Sequence, residues 1–354
     1  MSYQMLFNYN FQNNNQQINS SKKSSNDHNQ LFTKNYKFFD FCAGIGSAHL
    51  AFKNLGINCV GYSEIDKKAE ETYKLFHGSS YKNYGDLMKI NPKDLVDFDI
   101  LLAGFPCQAF SIAGKREGFE DKRGQIIYGL CEIIKIKKPK ALLLENVKGL
   151  VNINNGKTLR DVIYLLRECG YGVFYQVLES TEFGIPQARE RVYFVGIRND
   201  LCQREFCFPK NTKKTLNLQD FLIDEDERYI LCDSSYQTFL KYLENKYNKG
   251  KYNLEELLKQ DYLVIDTRQS DLRLYRNKIP TLRTLRQGIL YVKNLKIRKL
   301  SAMEALLLQG FNKELARKAQ DNFLQSRILA QAGNAMTVNV IQEIGKNILE
   351  YLYE

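Results

Sequence analysis

The chain contains no tryptophan, only three histidines and only six prolines, and none of its eight cysteines stands in a C-x-x-C pair. With so few ligands a structural zinc site has little to build on, and no metal is expected. A disulfide framework is equally unexpected in a chain of 354 residues without a secretory leader. No run of about 18 apolar residues occurs, so no membrane-spanning helix is expected. The start lacks the basic-then-apolar layout of a signal peptide, and the protein is expected in the cytoplasm. What the sequence does have is positive charge: 51 Lys and Arg against 40 Asp and Glu, a net +11. Between 267 and 300 stand ten Lys or Arg and one Asp. A field of that sign and density suits a polyanion. The acidic run 224–227 reads instead as a solvated turn.

The length accommodates a catalytic domain with a smaller lobe. Residues 1–36, rich in Asn, Gln and Ser, show no apolar period and read as a disordered tail. Strand patterns at 37–42, 58–62, 98–103, 140–144, 173–179 and 192–197 alternate with helical ones at 47–55, 66–76, 125–137 and 158–169. Such alternation predicts an α/β, doubly wound, mostly parallel, Rossmann-like sheet over 37–198. From 199 to 297 the rhythm dissolves into short strand-like pieces, read as a separate lobe that carries the basic window. Helical patterns at 301–309 and 334–352 predict that 298–354 returns to the first domain.

Two ends of this sheet carry chemistry. Asp40-Phe41-Cys42-Ala43-Gly44-Ile45-Gly46-Ser47 is a strand feeding a glycine loop at a helix start. In an open α/β sheet ligands bind at the carboxyl ends of strands, where glycine lets the backbone approach. Glu64, after the second strand, suits the two hydroxyls of a ribose, and Asp86 in Gly85-Asp86-Leu87 suits an adenine amino group. The loop is not a clean dinucleotide fingerprint, because His49 takes the place of the third glycine.

At the same edge, Gly104-Phe105-Pro106-Cys107-Gln108 follows an apolar strand, and Leu142-Leu143-Leu144 delivers Glu145-Asn146-Val147. A carboxylate directly after a buried apolar run is costly unless paired or functional. Arg189 and Arg191 alternate at period two, so both are expected on one face. A thiolate, a carboxyl and two guanidiniums beside an adenosine pocket suit covalent catalysis on a pyrimidine: sulfur adds to carbon 6, and the acid serves ring nitrogen 3.

These motifs, in this order, resemble the DNA (cytosine-5)-methyltransferases of bacterial type over 37–198 and 298–350. Further resemblance lies in 114–124, similar to the family's mobile catalytic loop, in Arg298-Lys299-Leu300-Ser301 with Glu304 and 308–311, and in Gln331-Ala332-Gly333-Asn334-Ala335. The resemblance implies S-adenosylmethionine as donor, S-adenosylhomocysteine as product, and a flipped cytosine in duplex DNA. It casts Cys107 as nucleophile, Glu145 as acid, and Arg189 and Arg191 as guanidiniums organising the cleft. Gly44, Ile45, Gly46, Glu64, Ile65 and Asp86 are implied to hold the cofactor, with Leu87, Pro106, Ile126, Asn334 and Ala335. Gln108, Ser111 and Arg123 are implied near the flipped base. In the basic lobe, Arg268, Arg273, Arg276, Arg283 and Arg286 are the candidate DNA contacts, with Thr281 and Leu282 as the family's Thr-Leu element.

Departures are Cys42 where the family usually has Phe, Ile65 where a larger aromatic is frequent, and Ser47 where a second glycine is common. The family also implies a monomer and a possible partner restriction endonuclease recognising the same site. Two other readings compete. A transfer-RNA methyltransferase of the same fold is disfavoured by the basic lobe and by the lack of a Cys-Phe-Thr element. A nonenzymatic dinucleotide-binding regulator would need neither Cys107 nor Glu145.

Overall fold

The computed structural model describes residues 35–106, 126–212, 217–284 and 287–353. In chain order, the first domain runs β1 (Lys37–Phe41), α1 (Ser47–Asn54), β2 (Asn58–Ser63), α2 (Lys67–His77), β3 (Ile100–Gly104), α3 (Ile126–Lys137) and β4 (Ala141–Val147). It continues with α4 (Lys157–Glu168), β5 (Tyr171–Glu179), the two-residue β6 (Gln187–Ala188) and β7 (Glu190–Arg198). The strands assemble in the order β2-β1-β3-β4-β7-β5. Strands β1, β3 and β4 are buried nearly throughout. Sheets covered on both faces read as continuous apolar runs for this reason.

Strand β7 runs antiparallel to both neighbours, β4 and β5. The connection 180–189 is shorter than the dozen or so residues a parallel crossover needs, so the chain must turn back. The consequence is functional. The start of β7 lies beside the end of β4, with Val147 opposite Arg191 and Glu145 opposite Tyr193. Parallel pairing also sets Gly104 opposite Glu145, so the exits of β1, β3 and β4 and the entry of β7 share one edge.

The lobe has its own core. Helices α5 (Asp233–Leu243) and α6 (Leu254–Leu258) pack on strands β8 (Val264–Asp266), β9 (Arg273–Tyr275), β11 (Ile289–Lys293) and β12 (Lys296–Lys299). The core joins Phe239, Leu257, Ile265 and Val292. The strand β10 (Ile279–Pro280) leaves this sheet and pairs in parallel with β6.

Four helices close the chain: α7 (Ala302–Leu307), α8 (Lys313–Asn322), α9 (Gln325–Asn334) and α10 (Val338–Tyr353). Two were expected. Helix α8 buries only Leu315, Ala316 and Ala319. Helix α9 starts at Leu324 without a side-chain cap. Asn334 therefore ends α9 rather than beginning the last helix.

Two other expectations change. Tyr36 belongs to the fold, 4% exposed with its hydroxyl donating to the Leu352 carbonyl at 3.2 Å; residues 1–34 lie outside the described residues. In the acidic run 224–227, Glu225 and Glu227 are exposed as expected of a solvated turn, but Asp224 is not. Asp224 is buried, its N–H donates to Glu304 Oε1 at 3.0 Å, and its carboxylate accepts from Gln320 at 2.9 Å. Arg298 donates to the carbonyls of Asp224 and Asp226, both at 2.8 Å, so the run locks the lobe to α7.

Candidate active site

A cavity of about 610 Å³ opens at the carboxyl edge of the sheet, inside the range of small-molecule and cofactor sites. Its walls include Gly44, Ile45, Glu64, Ile65, Asp86 and Leu87 on one side, and Pro106, Ile126, Asn334 and Ala335 on another. Glu145, Arg189 and Arg191 line it too. Gly46 does not. It sits at φ +81, and a Cβ there would stand 2.2 Å from His77 Nε2. Its glycine is required by packing over α2, not by a ligand.

Gly44, at φ +57, is the open position, since a Cβ there would meet nothing within 4 Å. Its N–H donates to Glu64 Oε2 at 2.7 Å, while Asp66 N–H donates to Oε1 at 2.8 Å. The Glu64 carboxylate is thus oriented by two backbone donors, with a lone pair left on each oxygen. Ile65 is 73% exposed. Asp86 caps the short turn Leu87–Lys89 through Met88 N–H at 3.0 Å. The capping role of Asp86 and its place on the cavity wall coexist. An apolar rim, two carboxylates and an open glycine are the donor set an adenosine group needs.

At the other end of the cavity, Arg191 Nε lies 3.1 Å from Glu145 Oε1. Burial pushes the Glu145 carboxyl above the usual range, against the pull of Arg191 and then Arg189. Asn146 donates from its amide to the Phe105 carbonyl at 2.9 Å. That bond, absent from the sequence-based site, fixes the segment Phe105-Pro106 against β4; only the adjacent Glu145-Asn146-Val147 run hinted at it. Cys107 follows Pro106 directly and lies outside the described residues, as do Gln108, Ser111, Arg123 and Arg286.

Arg189 and Arg191 do not act alike. Arg189 falls in the break between β6 and β7 and is 2% exposed. Its guanidinium donates to three backbone carbonyls, those of Leu282, Gly333 and Ala335. Both arginines line the cavity, as their period-two spacing leads one to expect, but the break before β7 lets Arg189 turn to these carbonyls while Arg191 pairs with Glu145.

The basic window is smaller than its composition. Arg268 pairs bidentately with Asp266, at 2.7 and 2.8 Å, and donates to the Thr281 carbonyl at 2.7 Å. Its side chain is 4% exposed, so it is a strut and not a DNA contact. Lys293 pairs with Glu225, and Arg298 is buried. Leu282 is also buried, and Thr281-Leu282 is anchored by the Thr281 hydroxyl, which donates to the Ala188 carbonyl, and by the Leu282 backbone on Gln187 and Arg189. Arg273 is exposed and bonded to Asp271 and Gln269, and Arg276 is exposed and bonded to Gln260. Arg283 is exposed and lines a second cleft with Thr281, Lys148 and Arg191. No metal-binding group of three or more side chains occurs among the described residues, and none of their helices is long and apolar enough to cross a membrane.

A nucleoside-sized cavity ending in a buried acid paired to an arginine defines a nucleotide-handling α/β enzyme. The sequence model of the C-5 cytosine-specific DNA methylase family matches residues 36–350. The Type II methyltransferase M.NgoBI of Neisseria gonorrhoeae is 37% identical, over 88% of this chain and 92% of its own. The Type II methyltransferase M.BsuFI of Bacillus subtilis is 46% identical over 198 residues, 54% of this chain and 48% of its own. The Dnmt2 methyltransferase of S. pombe shares the fold at a TM-score of 0.65 and 22% identity, covering 89% of this chain and 98% of its own. The chain belongs to the C-5 cytosine-specific DNA methylase family and is a DNA cytosine-5-methyltransferase. Membership implies S-adenosylmethionine as donor, and the cavity's donor set fits it.

Proposed function

We propose that the chain methylates carbon 5 of a cytosine flipped out of duplex DNA at a specific short site, through a transient bond between Cys107 and carbon 6. The observation that carries this reading is the edge where Glu145, paired to Arg191, meets the strand exit leading to Cys107 and the nucleoside cavity.

When bound, S-adenosylmethionine supplies an electrophilic methyl group on a sulfonium. Glu64 and Asp86 orient the nucleoside, with Ile65 against its apolar part; Asn334 and Ala335 close the opposite wall. The Cys107 sulfur, its thiol proton lost to solvent, forms a bond to carbon 6 while Glu145, its carboxyl raised by burial, gives a proton to ring nitrogen 3. Carbon 5 gains electron density and would take the methyl group as the methyl–sulfonium bond breaks and S-adenosylhomocysteine leaves. Loss of the carbon 5 proton to solvent then breaks the sulfur–carbon bond, and the nitrogen proton returns to Glu145. Arg191 holds the carboxyl in place and presents positive charge to the pyrimidine. Covalent catalysis of this kind divides one difficult displacement into easier steps.

Carbon 6 is unreachable within a stacked duplex, so the base must leave it at a cost of a few kcal/mol. Phosphate contacts from Arg283, Arg273 and Arg276 offset part of that cost. The names of the relatives support a Type II system, in which a partner endonuclease would share the site. We place the protein in the cytoplasm and read it as a monomer. Tritiated donor with DNA tests the reading: label should appear at carbon 5 of cytosine, and Cys107→Ala should abolish it. Label elsewhere, or a fully active Cys107→Ala, would reject it.

A further inference from the structure

Beside Arg189, residues 281–284 of the recognition lobe meet residues 333–335 of the C-terminal segment. Strand β10 lies on β6, and the chain beyond it, 281–284, is held from three sides. The Leu282 N–H donates to Gln187 Oε1 at 2.9 Å. The Leu282 carbonyl accepts from Arg189 Nη1 at 3.3 Å. The Thr284 hydroxyl donates to Asn334 Oδ1. The same guanidinium bonds the opposite segment, reaching the Gly333 carbonyl at 3.2 Å and the Ala335 carbonyl at 2.6 Å.

Nothing separates the two segments. A Cβ on Gly333 would stand 2.5 Å from both Arg283 C and Thr284 N, backbone atoms that cannot rotate aside. The two segments line adjoining spaces. Gly333, Asn334 and Ala335 form a wall of the nucleoside cavity, Thr281, Arg283 and Thr284 line the cleft of about 430 Å³ beside Arg191 and Lys148, and Gly333 borders both. Ordering one segment therefore orders the other, and a second ligand meets a smaller entropic cost after the first has bound.

We infer that Arg189 is a positioning residue which, with Thr284 and Gly333, couples donor occupancy to DNA occupancy. The inference rests on the functional reading above. Both terminal nitrogens of the guanidinium are committed to these carbonyls, while its buried Nε carries no hydrogen-bond partner. Lysine cannot replace it: a single ammonium lacks the planar fork that spans two segments.

Calorimetric titration of S-adenosylhomocysteine, with and without saturating linear plasmid DNA, tests the proposal. DNA should tighten nucleoside binding by roughly tenfold, within the 5–150-fold span of typical couplings, and the nucleoside should tighten DNA binding equally. Arg189→Lys and Thr284→Val should each bind both ligands separately while their coupling falls to within about twofold of none, the reciprocal loss that linkage demands. A melting curve checks folding. If Arg189→Lys does not fold, Thr284→Val, which deletes one hydroxyl, decides alone. Folded variants that keep the full coupling overturn the proposal, as does a wild-type protein that binds both ligands independently. A wild-type protein that binds neither overturns the functional reading, and this inference with it.

Discussion

Replacing Glu145 with Gln keeps the shape of the side chain and its acceptor for Arg191 Nε, but removes the proton that nitrogen 3 requires. General acid catalysis is worth about 10²–10⁴ in rate. At 1.36 kcal/mol per decade, the variant should lose roughly 3–5 kcal/mol of transition-state stabilisation. Wild-type activity, measured as initial tritium transfer as a function of pH, should fall on the alkaline side as Glu145 ionises. Burial moves that limb above the ordinary carboxylate range, and the variant should lack it. Stability should move the other way. An acid whose folded pKa is raised contributes stability below its unfolded pKa and loses it as pH rises through the folded value. The amide escapes that loss, so Glu145→Gln should unfold at the same or higher urea concentration once the pH exceeds the folded pKa of Glu145, a stability–activity trade. A variant with more than a tenth of wild-type activity, or with the alkaline limb intact, would refute the acid role.

Other outcomes follow from the same geometry. Burial lowers His49 to about 2 and His77 to about 4, so the unfolded chain takes protons near pH 6.5 that the folded chain refuses. The urea midpoint should therefore fall from pH 6.5 to 4, each histidine withdrawing roughly 3 kcal/mol at pH 4; a flat midpoint would contradict their burial. Arg283→Gln should lower the slope of log binding constant against log salt by about one. Arg268→Met should leave that slope unchanged and instead lower the melting temperature, because it strands Asp266. Gly46→Ala should destabilise the fold by about 1–3 kcal/mol through strain at a left-handed position. Gly44→Ala should stay folded and weaken S-adenosylhomocysteine binding in a titration.

The central sheet was legible because β1, β3 and β4 are buried runs whose apolar character reports directly on layered packing. Glu64 and Glu145 were legible because the first directly follows β2 and the second stands near the end of the apolar run of β4. Tertiary pairing was not. Arg268 looks free until Asp266 folds against it, and Asp224 looks solvated until Arg298 arrives from strand β12 and Gln320 from helix α8. Arg189 and Arg191 are two apart in sequence, yet the break between β6 and β7 sends one to backbone carbonyls and leaves the other on Glu145. Gly46 shows the same limit, since its neighbour across space, His77, is far along the chain.

The most direct test uses DNA in which every cytosine is 5-fluorocytosine, incubated with protein and S-adenosylmethionine and then denatured. Fluorine cannot leave carbon 5 as a proton does, so the account predicts a denaturation-resistant complex whose only modified peptide carries a nucleotide on Cys107. A complex attached through another residue, or methylation without any trapped protein, would contradict it.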